Sequence, residues 1–376
     1  PPSAGRQHGG SHCLMALTES SFGRFTSIRV LVPGTGTRFR CGGLSVALQT
    51  ARLLSTLRHT EVVTYRERTD RQPFLDDLLR NESGPGPALW IVSWGFDVPR
   101  SLERLRGKNV VYQAHSSGYG FDLPPGVPVV AVSRNTLGYW ADRAPRNPLF
   151  LVPNALEPHW INQGARPGSA AQSTRSERPI DVLVQLRKSS PYVLNQLVPA
   201  LQAQGLRVEV QSGWVDDLVE LFNCSKVYLY DSAEYWRGRG VSEGFGLPPL
   251  EALACGCVVF SSFNHALADM LTPGVTAHQI GQGTLANDQA RIAAAVANPD
   301  GWLPDAATLD GLLAEVAERR WCERWGHVLT QLEDLCAHGA MGVSAEAALR
   351  SPSTRRLRWM QRLERLRSKV ADRLRG

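Results

Sequence analysis

The stretch Val241-Ser-Glu-Gly-Phe-Gly-Leu-Pro-Pro-Leu-Glu-Ala-Leu-Ala-Cys-Gly-Cys-Val-Val-Phe260 decides how this chain folds. Gly244 and Gly246 predict a loop whose bare backbone N–H groups can approach a ligand closely. The two prolines that follow suit the first turn of a helix, where the backbone needs no N–H partner, and Gly256 is placed to end that helix. The apolar residues after Gly256 predict a short buried strand. The predicted order is therefore loop, helix, glycine stop and strand.

Two carboxylates bracket the N-terminus of this helix, since Glu243 lies in the loop and Glu251 in the predicted first turn. A helix N-terminus carries roughly half a positive charge and has spare N–H donors, which suits a phosphate group. Both carboxylates can face one cleft and accept hydrogen bonds from hydroxyl groups. A ligand with hydroxyl groups at both ends and phosphate between them is a nucleotide-sugar, which has a ribose at one end and a sugar at the other. The alternative is a glycine turn before an ordinary helix with two solvated glutamates, because short glycine motifs are weak evidence.

The wording of the motif favours the nucleotide-sugar interpretation. The nearly continuous match Glu-Gly-Phe-Gly-Leu-Pro-x-Leu-Glu-Ala-x-Ala-Cys-Gly, from Glu243 to Gly256, resembles the donor motif of retaining GT-B glycosyltransferases of the family 4 type, or glycosyltransferase group 1. The resemblance implies an α/β GT-B fold, with two Rossmann-like doubly wound domains and an interdomain cleft. It also implies a hexosyltransferase, which moves a hexose from a nucleotide-diphosphate sugar to an acceptor hydroxyl and retains the anomeric configuration.

The resemblance also assigns roles to the residues of the motif. Glu251 is expected to bind the ribose hydroxyls, and Glu243 to hold the sugar. The backbone N–H groups expected to hold the sugar and the diphosphate belong to Gly244, Phe245, Gly246 and Leu247. Val215 falls where relatives in this family contact the base, largely through the main chain.

The first domain is predicted to begin with a strand, a glycine loop and a helix. The β-rich run Ile28–Pro33 is followed by Gly42 and Gly43, which open a helical pattern that continues to Leu54. This is the first unit of a nucleotide-binding α/β domain, but it lacks G-x-G-x-x-G, which argues against a dinucleotide site. The resemblance implies that the glycine pair lets the first domain close on the donor diphosphate. A tight strand-to-helix turn is the alternative interpretation.

A histidine follows one of the later predicted strands of this domain. Strand patterns at residues 61–65, 88–93, 109–113 and 127–132 alternate with helical or loop segments, which predicts a mostly parallel sheet with helices on both faces. His115 comes just after the third of them, and ligands bind beyond the carboxyl ends of such strands. A lone histidine is more often structural. The resemblance implies instead that His115 hydrogen-bonds the reacting sugar.

The second domain restarts the pattern with the strand Ile180–Leu186, directly followed by Arg187 and Lys188. Two fixed cations at a sheet's ligand-binding edge can neutralise a leaving diphosphate. They can equally be a pair of solvated loop charges, and relatives in the family separate their Arg and Lys by four residues. Because these cations and a helix dipole can replace a metal, and no convincing Asp-x-Asp is present, no metal cofactor is predicted.

The 376 residues leave room for two domains of ordinary size. The sequence predicts a disordered leader at 1–26, an acceptor domain at 27–160, a linker at 161–179, and a donor domain at 180–338. A polar link and a basic amphipathic helix follow at 339–376. The segment 309–336 is mostly helical in pattern, and in GT-B folds a C-terminal helix often crosses back to the first domain. Seven scattered cysteines without a C-x-x-C pair indicate a reduced, cytoplasmic protein.

The positive charge of the chain is concentrated at its C-terminal end. Residues 353–376 contain nine Arg or Lys and two acids, a net of +7, so the rest carries 6 − 7 = −1. Such a helix can lie on an anionic membrane surface, at the inner membrane face, or pack on its own protein. Nucleic acid is not expected as a partner, because no recognition motif accompanies the charge. No apolar run approaches the roughly 18 residues that span a bilayer.

Several alternatives to this enzyme stay open from the sequence. The chain can be a non-catalytic nucleotide-sugar-binding subunit of a polysaccharide assembly complex. It can also be a GT-B enzyme of another reaction, either a phosphorylase or an epimerase. A nicotinamide oxidoreductase is a distant third because G-x-G-x-x-G is missing. The base and sugar of the donor, and a glycan or a lipid-linked molecule as acceptor, are not distinguished.

Overall fold

The computed structural model describes residues 25–172 and 177–339, together with residues 341, 359, 362, 363 and 366. All but the last two residues of the predicted leader, and most of the predicted link and basic helix, lie outside the described residues. The described chain forms two parallel sheets, each with helices on its faces, so the predicted pair of Rossmann-like domains is confirmed. Within the described part of the chain, every helix is too short or too polar to span a bilayer.

The first sheet has six parallel strands in the order β2-β1-β3-β4-β5-β6. Their bounds are β1 Ser27–Val32, β2 His59–Thr64, β3 Ala88–Val92, β4 Asn109–Ala114, β5 Val129–Ala131 and β6 Leu149–Leu151. Every residue of β3 and β4 is buried, as expected for central parallel strands covered on both faces. This double coverage explains why their sequences are continuous apolar runs and why the patterns predicted them to within about two residues.

Helices cover both faces of the first sheet. They are α1 Gly42–Leu54, α2 Leu75–Asn81, α3 Val98–Arg104 and α4 Arg134–Arg143. Helix α1 packs on one face through Leu44 and Leu54, whereas α3 and α4 pack on the other through Leu102 and Trp140. Helix α4 begins where the Ser133 hydroxyl accepts a hydrogen bond from its third residue. The domain is therefore doubly wound, with a switch point between β1 and β3.

The second sheet has five parallel strands in the order β11-β10-β9-β7-β8. Its strands are β7 Ile180–Gln185, β8 Val208–Gln211, β9 Ser225–Tyr230, β10 Val258–Ser261 and β11 His278–Gln279. The helices of this region are α5 Pro158–Gln163, α6 Val198–Ala203, α7 Leu218–Asn223, α8 Ala233–Arg237, α9 Leu247–Ala254, α10 Leu267–Met270, α11 Leu285–Ala297 and α12 Ala306–Glu315. The order of strands places a switch point between β7 and β9, and a ligand crevice is expected beyond their carboxyl ends.

The predicted glycine stop and strand after α9 are present. The N–H of Gly256 donates to the carbonyl of Leu253, and the N–H of Cys257 donates to the carbonyl of Ala252. With the backbone of Gly256 left-handed at φ 73°, this is a Schellman motif, which satisfies the last carbonyls of the helix. Strand β10 then starts at once, so the motif fixes the spacing between α9 and the sheet.

The chain crosses between the domains at two adjacent points, and the packing there shows which domain α5 and the last helix join. Helix α5, which follows the first crossing, packs on the second domain, because Trp160 contacts Phe222 there. The second crossing interrupts the helical segment 309–336, since the carbonyl of Val316 accepts a hydrogen bond from the N–H of Leu156. The last helix, α13 Glu318–Ala337, then packs on the first domain rather than the second.

Candidate active site

Loops at the carboxyl ends of the two sheets touch each other. The Ser116 hydroxyl, after β4, donates to the carbonyl of Ser242 at 2.7 Å, and the hydroxyls of Ser117 and Ser242 lie 2.6 Å apart. A Cβ atom on Gly244 would lie 1.5 Å from the carbonyl oxygen of His115, so only glycine fits there. The two domains therefore meet at the loop of residues 240–246, which we call the Glu243 loop.

The Glu243 loop leads directly into α9. Gly246 has φ 90°, and the helix begins at Leu247 without a side chain capping its N-terminus. The next two residues, Pro248 and Pro249, have no N–H, so the free amides near this helix end belong to the loop and to Leu247 rather than to the first turn. This is the backbone that the sequence predicts to hold the sugar and the diphosphate. Glu251 is the fifth residue of α9, one position beyond the predicted first turn.

The Glu243 carboxylate is buried, with 3% of the residue exposed. Its Oε2 atom accepts hydrogen bonds from the Tyr230 hydroxyl and the Trp236 indole, both at 2.6 Å. Its Oε1 atom lies 3.8 Å from Nζ of Lys188. A buried carboxylate with these partners is compensated for its lost hydration. Glu243 therefore holds the Glu243 loop in place through Oε2, whereas Oε1 has only the Lys188 ammonium nearby among these partners.

Lys188 lies at the switch point of the second sheet, in the loop after β7. Among the described residues, two that are not glycine have a left-handed backbone: Lys188 at φ 71° and His265 at φ 52°. Both follow strands at the ligand-binding edge, where such backbone conformations are concentrated in proteins. The Lys188 ammonium lies 5.2 Å from the Trp236 ring centre and next to Glu243. The loop after β7 thus holds the Lys188 ammonium beside the Glu243 carboxylate.

Glu251 has a half-buried side chain whose pKa is raised to about 7. Burial is the main cause of this raised pKa, Lys188 opposes it, and the Glu157 carboxylate adds to it. Near neutral pH the carboxyl therefore exchanges between a form that only accepts hydrogen bonds and one that also donates. A ligand whose hydroxyls donate to Glu251 favours the ionised form.

His115 lies one residue beyond β4, and its Nε2 atom is buried without a hydrogen-bond partner in the structure. Burial lowers the pKa of its imidazole to about 4. The ring is therefore neutral at physiological pH. Its main chain, by contrast, is fixed by the close approach of Gly244. A neutral imidazole with one unsatisfied nitrogen can donate to, or accept from, a ligand hydroxyl.

The remaining predicted residues lie toward the outside of the cleft. Gly42 and Gly43 form the exposed start of α1. A Cβ atom on Gly42 would meet open space, and one on Gly43 would lie 3.7 Å from the Cys41 sulfur. Arg187 is exposed, and its Nε lies 3.4 Å from the Tyr235 hydroxyl. Val215 is half-buried beside Trp214, whose indole is 71% exposed. The guanidinium of Arg40 from the first domain lies 5.6 Å from the centre of that indole, so this region also faces across the cleft.

The structure groups the predicted residues into two sets. Lys188, Glu243 and Glu251 interact directly or through charge, and the main chain of His115 touches the same loop. Arg187 shares the β7 loop with Lys188 but contacts Tyr235 instead. Tyr230, Trp236 and Ser242 were not predicted as site residues. Tyr230 ends β9, whose apolar run was a usable signal. Trp236 lies in the short helix α8 and Ser242 in the Glu243 loop, and neither segment has a periodic apolar pattern.

Comparisons with known proteins identify a family that matches part of this chain. Residues 199–300 match the family described as Glycosyl transferases group 1, and this segment includes the Glu243 loop and α9. No curated protein sequence matches the chain significantly. The resemblance to group 1 and the predicted enzyme class, a glycosyltransferase, are confirmed by the family match.

Several solved structures have a fold similar to that of this chain. A glycosyltransferase from Rickettsia africae aligns with a TM-score of 0.59 at 10% identity, over 82% of this chain and 98% of that one. A sucrose-phosphate synthase from Thermosynechococcus elongatus aligns with a TM-score of 0.58 at 14% identity, over 82% and 99%. HepE of Anabaena in complex with UDP aligns with a TM-score of 0.54 at 13% identity, over 82% and 100%. The predicted GT-B fold is confirmed.

Proposed function

We propose that this protein transfers a hexose from a nucleotide-diphosphate sugar to an acceptor hydroxyl, with retention of the anomeric configuration and without a metal, as in family 4. One observation carries the proposal: the Glu243 loop, Lys188 and Glu251 converge at the switch point of the second sheet, where the first domain meets it. This is the position at which open α/β sheets bind ligands. Free loop amides and the Lys188 ammonium suit the diphosphate of such a donor, and the Glu251 carboxylate suits its ribose hydroxyls.

The proposed roles follow the chemistry of each group. Glu251 accepts hydrogen bonds from the ribose hydroxyls, and the amides of Gly246 and Leu247 bind the diphosphate. Lys188 neutralises the charge that develops on the leaving diphosphate, and a cation fixed beforehand needs no reorganisation during the reaction. Arg187, which is more exposed, adds its positive charge to that of Lys188 from the outside of the cleft. Gly42 and Gly43 let α1 approach the phosphates without side chains in the way.

Glu243 and His115 serve the sugar in this proposal. Because Oε2 of Glu243 is occupied by Tyr230 and Trp236, only Oε1 is offered to a sugar hydroxyl, and the loop amides provide most of the sugar contact. The neutral imidazole of His115 binds another hydroxyl through its unsatisfied Nε2. Glu243 thus contributes more by fixing the loop than by contact with the sugar.

A uridine nucleotide is the first donor class to test, because the structural neighbour from Anabaena is described as a complex with UDP. The experiment measures binding of UDP, GDP and ADP, with their glucose, mannose and galactose conjugates, to the wild type and to Glu251→Ala. Tight binding of one nucleotide that weakens in the variant supports a donor site with Glu251 at the ribose. If none of them binds the wild type, the proposal fails and the non-catalytic alternative becomes the leading one.

We also propose that residues 353–376 bind an anionic membrane surface. The net charge of +7 supports this, as do Trp359 and Leu366, which are 61% and 58% exposed. Deletion of the segment is expected to abolish sedimentation with phosphatidylserine vesicles, whereas neutral phosphatidylcholine vesicles serve as the control. Unchanged sedimentation of the shortened protein would reject membrane binding through this segment.

A further inference from the structure

A second group of side chains lies at the ligand-binding edge of the first sheet, outside the donor site. Phe96, in the short turn Gly95–Asp97 that comes after β3, is 43% exposed, although most large apolar side chains of this domain are buried. Its ring meets the ring of Tyr119 edge to face, with centres 5.0 Å apart and planes at 84°. Asp97, Tyr65 and Arg66 lie beside them. We call these five residues the Phe96 rim.

The backbone at Gly95 shapes the apolar part of the rim. A Cβ atom on Gly95 would lie 2.6 Å from the Tyr119 ring, so the absence of a side chain lets that ring pack directly on the main chain. Tyr119 also stacks on the buried Phe121, with ring planes 15° apart. Phe96 is therefore held against a fixed aromatic base and turns an exposed surface to solvent.

The polar part of the rim is equally ordered. The Tyr65 hydroxyl donates to Oδ2 of Asp97 at 2.7 Å, and the Arg66 guanidinium forms an ion pair with the same carboxylate. A carboxylate has about four acceptor positions, and a guanidinium has five N–H donors. Asp97 and Arg66 therefore keep hydrogen-bonding capacity for a ligand. Arg66 has 53% of its side chain exposed.

The rim adjoins the loops of the donor site. The Tyr119 hydroxyl interacts with Ser116, and the Ser116 hydroxyl donates to the carbonyl of Ser242 in the Glu243 loop. Only two residues separate Phe96 from that loop along this path. A molecule that rests on Phe96 therefore lies on the first-domain side of the same cleft.

We propose that the Phe96 rim binds a pyranose ring of the acceptor, which makes the acceptor a glycan; this inference rests on the proposed function. A pyranose has a face of C–H groups, which suits the negative face of an aromatic ring, and equatorial hydroxyls, which suit paired donors and acceptors at its edge. A lipid chain fits less well, because it would cover the charges of Asp97 and Arg66 without replacing their hydration.

The test uses methyl glycosides of glucose, galactose, mannose and N-acetylglucosamine, in both anomeric forms, with the full chain and saturation-transfer NMR. At least one glycoside is expected to bind the wild type, and Phe96→Ala is expected to weaken its binding about tenfold. Phe96→Trp should keep the binding, whereas Phe96→Leu, which is apolar without an aromatic face, should weaken it as Phe96→Ala does. Val275→Ala changes an equally exposed apolar side chain on the second domain and should have no effect.

Three outcomes would overturn the inference. The first is that no methyl glycoside binds the wild type. The second is that Phe96→Ala or Phe96→Leu binds the glycoside as tightly as the wild type does. The third is a wild-type dimer in sedimentation velocity that Phe96→Ala converts to a monomer, since the ring would then serve a second copy of the chain.

Donor binding measured on the same samples separates this inference from the proposed function. Phe96→Ala should bind nucleotide-sugar as the wild type does, because no group proposed to bind the donor is changed. If the wild type binds a methyl glycoside at Phe96 but no nucleotide, the proposed function is contradicted and the glycoside site is not. If the wild type binds nucleotide-sugar but no glycoside, the acceptor site is contradicted and the proposed donor site is not.

Discussion

The carbonyl oxygen of His115 lies 1.5 Å from the point that a Cβ atom on Gly244 would occupy. These two residues belong to different domains and lie in the loops that face each other across the cleft. The contact allows no side chain at residue 244 unless the domains move apart. The distance between the two domains, and with it the width of the cleft, therefore depends on a single missing methyl group.

Gly244→Ala is expected to open the cleft without unfolding either domain. The added methyl group must displace the backbone of residue 115, which the neighbouring hydrogen bonds of Ser116 and Ser117 otherwise hold in place. Transfer should fall by about 100-fold, because small displacements of reacting groups have effects of that size. Small-angle scattering should show a larger radius of gyration. Gly138→Ala, in α4 with open space around it, is the matched control and should match the wild type in both measurements.

Lys188→Met is expected to reduce kcat far more than Arg187→Met. Lys188 is held above Glu243 at the switch point, whereas Arg187 is exposed and contacts Tyr235. Removal of a fixed charge-stabilising group typically lowers kcat by roughly 100- to 1,000-fold. Steady-state kinetics on both variants makes the comparison, and circular dichroism checks that the uncompensated Glu243 has not unfolded the protein. Equal losses in the two variants would contradict a special role for Lys188.

Affinity for the nucleotide-sugar is expected to fall as the pH drops below about 7, the pKa of Glu251 in the empty protein. Ribose hydroxyls donate to the ionised carboxylate, so protonation competes with binding and should weaken it by about fivefold between pH 7 and pH 6. Calorimetric titrations with an intact nucleotide-sugar are suitable. A free nucleoside diphosphate is not, because its terminal phosphate titrates near pH 6.

Glu251→Gln is the control for this pH dependence. The variant should show a flat profile, with weaker binding than the wild type at pH 7 and above and similar binding at low pH, where the wild-type carboxyl is neutral as well. It should also make the empty protein more stable at pH 8. The pKa in the folded state lies above its ordinary value of 4.5, so wild-type stability at this site is full at low pH and lost as the pH rises toward 7. We expect a gain of about 1 kcal/mol after allowance for solvent screening. A wild-type pH profile that persists in Glu251→Gln would assign the titration to another group.

Turnover is expected to be unchanged in excess EDTA. In the proposed mechanism Lys188, Arg187 and the loop amides stabilise the leaving diphosphate, which is the role that a divalent cation takes in other enzymes. Loss of turnover in EDTA that Mn²⁺ or Mg²⁺ restores would contradict this prediction.

Much of the fold could be predicted from the sequence because parallel strands buried on both faces appear as continuous apolar runs. The C-terminal glycine stop of α9 was predictable for a similar reason, since Gly256 adopts a backbone conformation that disfavours side chains. The break between α12 and α13 was not, because it depends on a hydrogen bond between Leu156 and Val316. The helical pattern of the segment contains no sign of that distant partner.

The site was predictable to the level of its motif but not of its contacts. The spacing of Glu243 and Glu251 indicated two carboxylates near one helix end. The burial of Glu243 could not be predicted from the motif. Its partners Tyr230, Trp236 and Lys188 come from three different segments of the chain. The hydrogen bond between Ser116 and Ser242 joins polar loops separated by 126 residues, and neither loop has a periodic pattern.

The return of α13 to the first domain has a consequence for the order in which the protein folds during synthesis. The first domain's core includes Trp321 and Trp325, which leave the ribosome only after every strand of the second sheet. Domains usually finish folding in the order in which they are made. Here the second domain can be complete while the first still exposes the apolar surface that α13 will cover. A chain that stops before residue 318 therefore fails in its first domain, although the missing residues lie near the other end of the sequence.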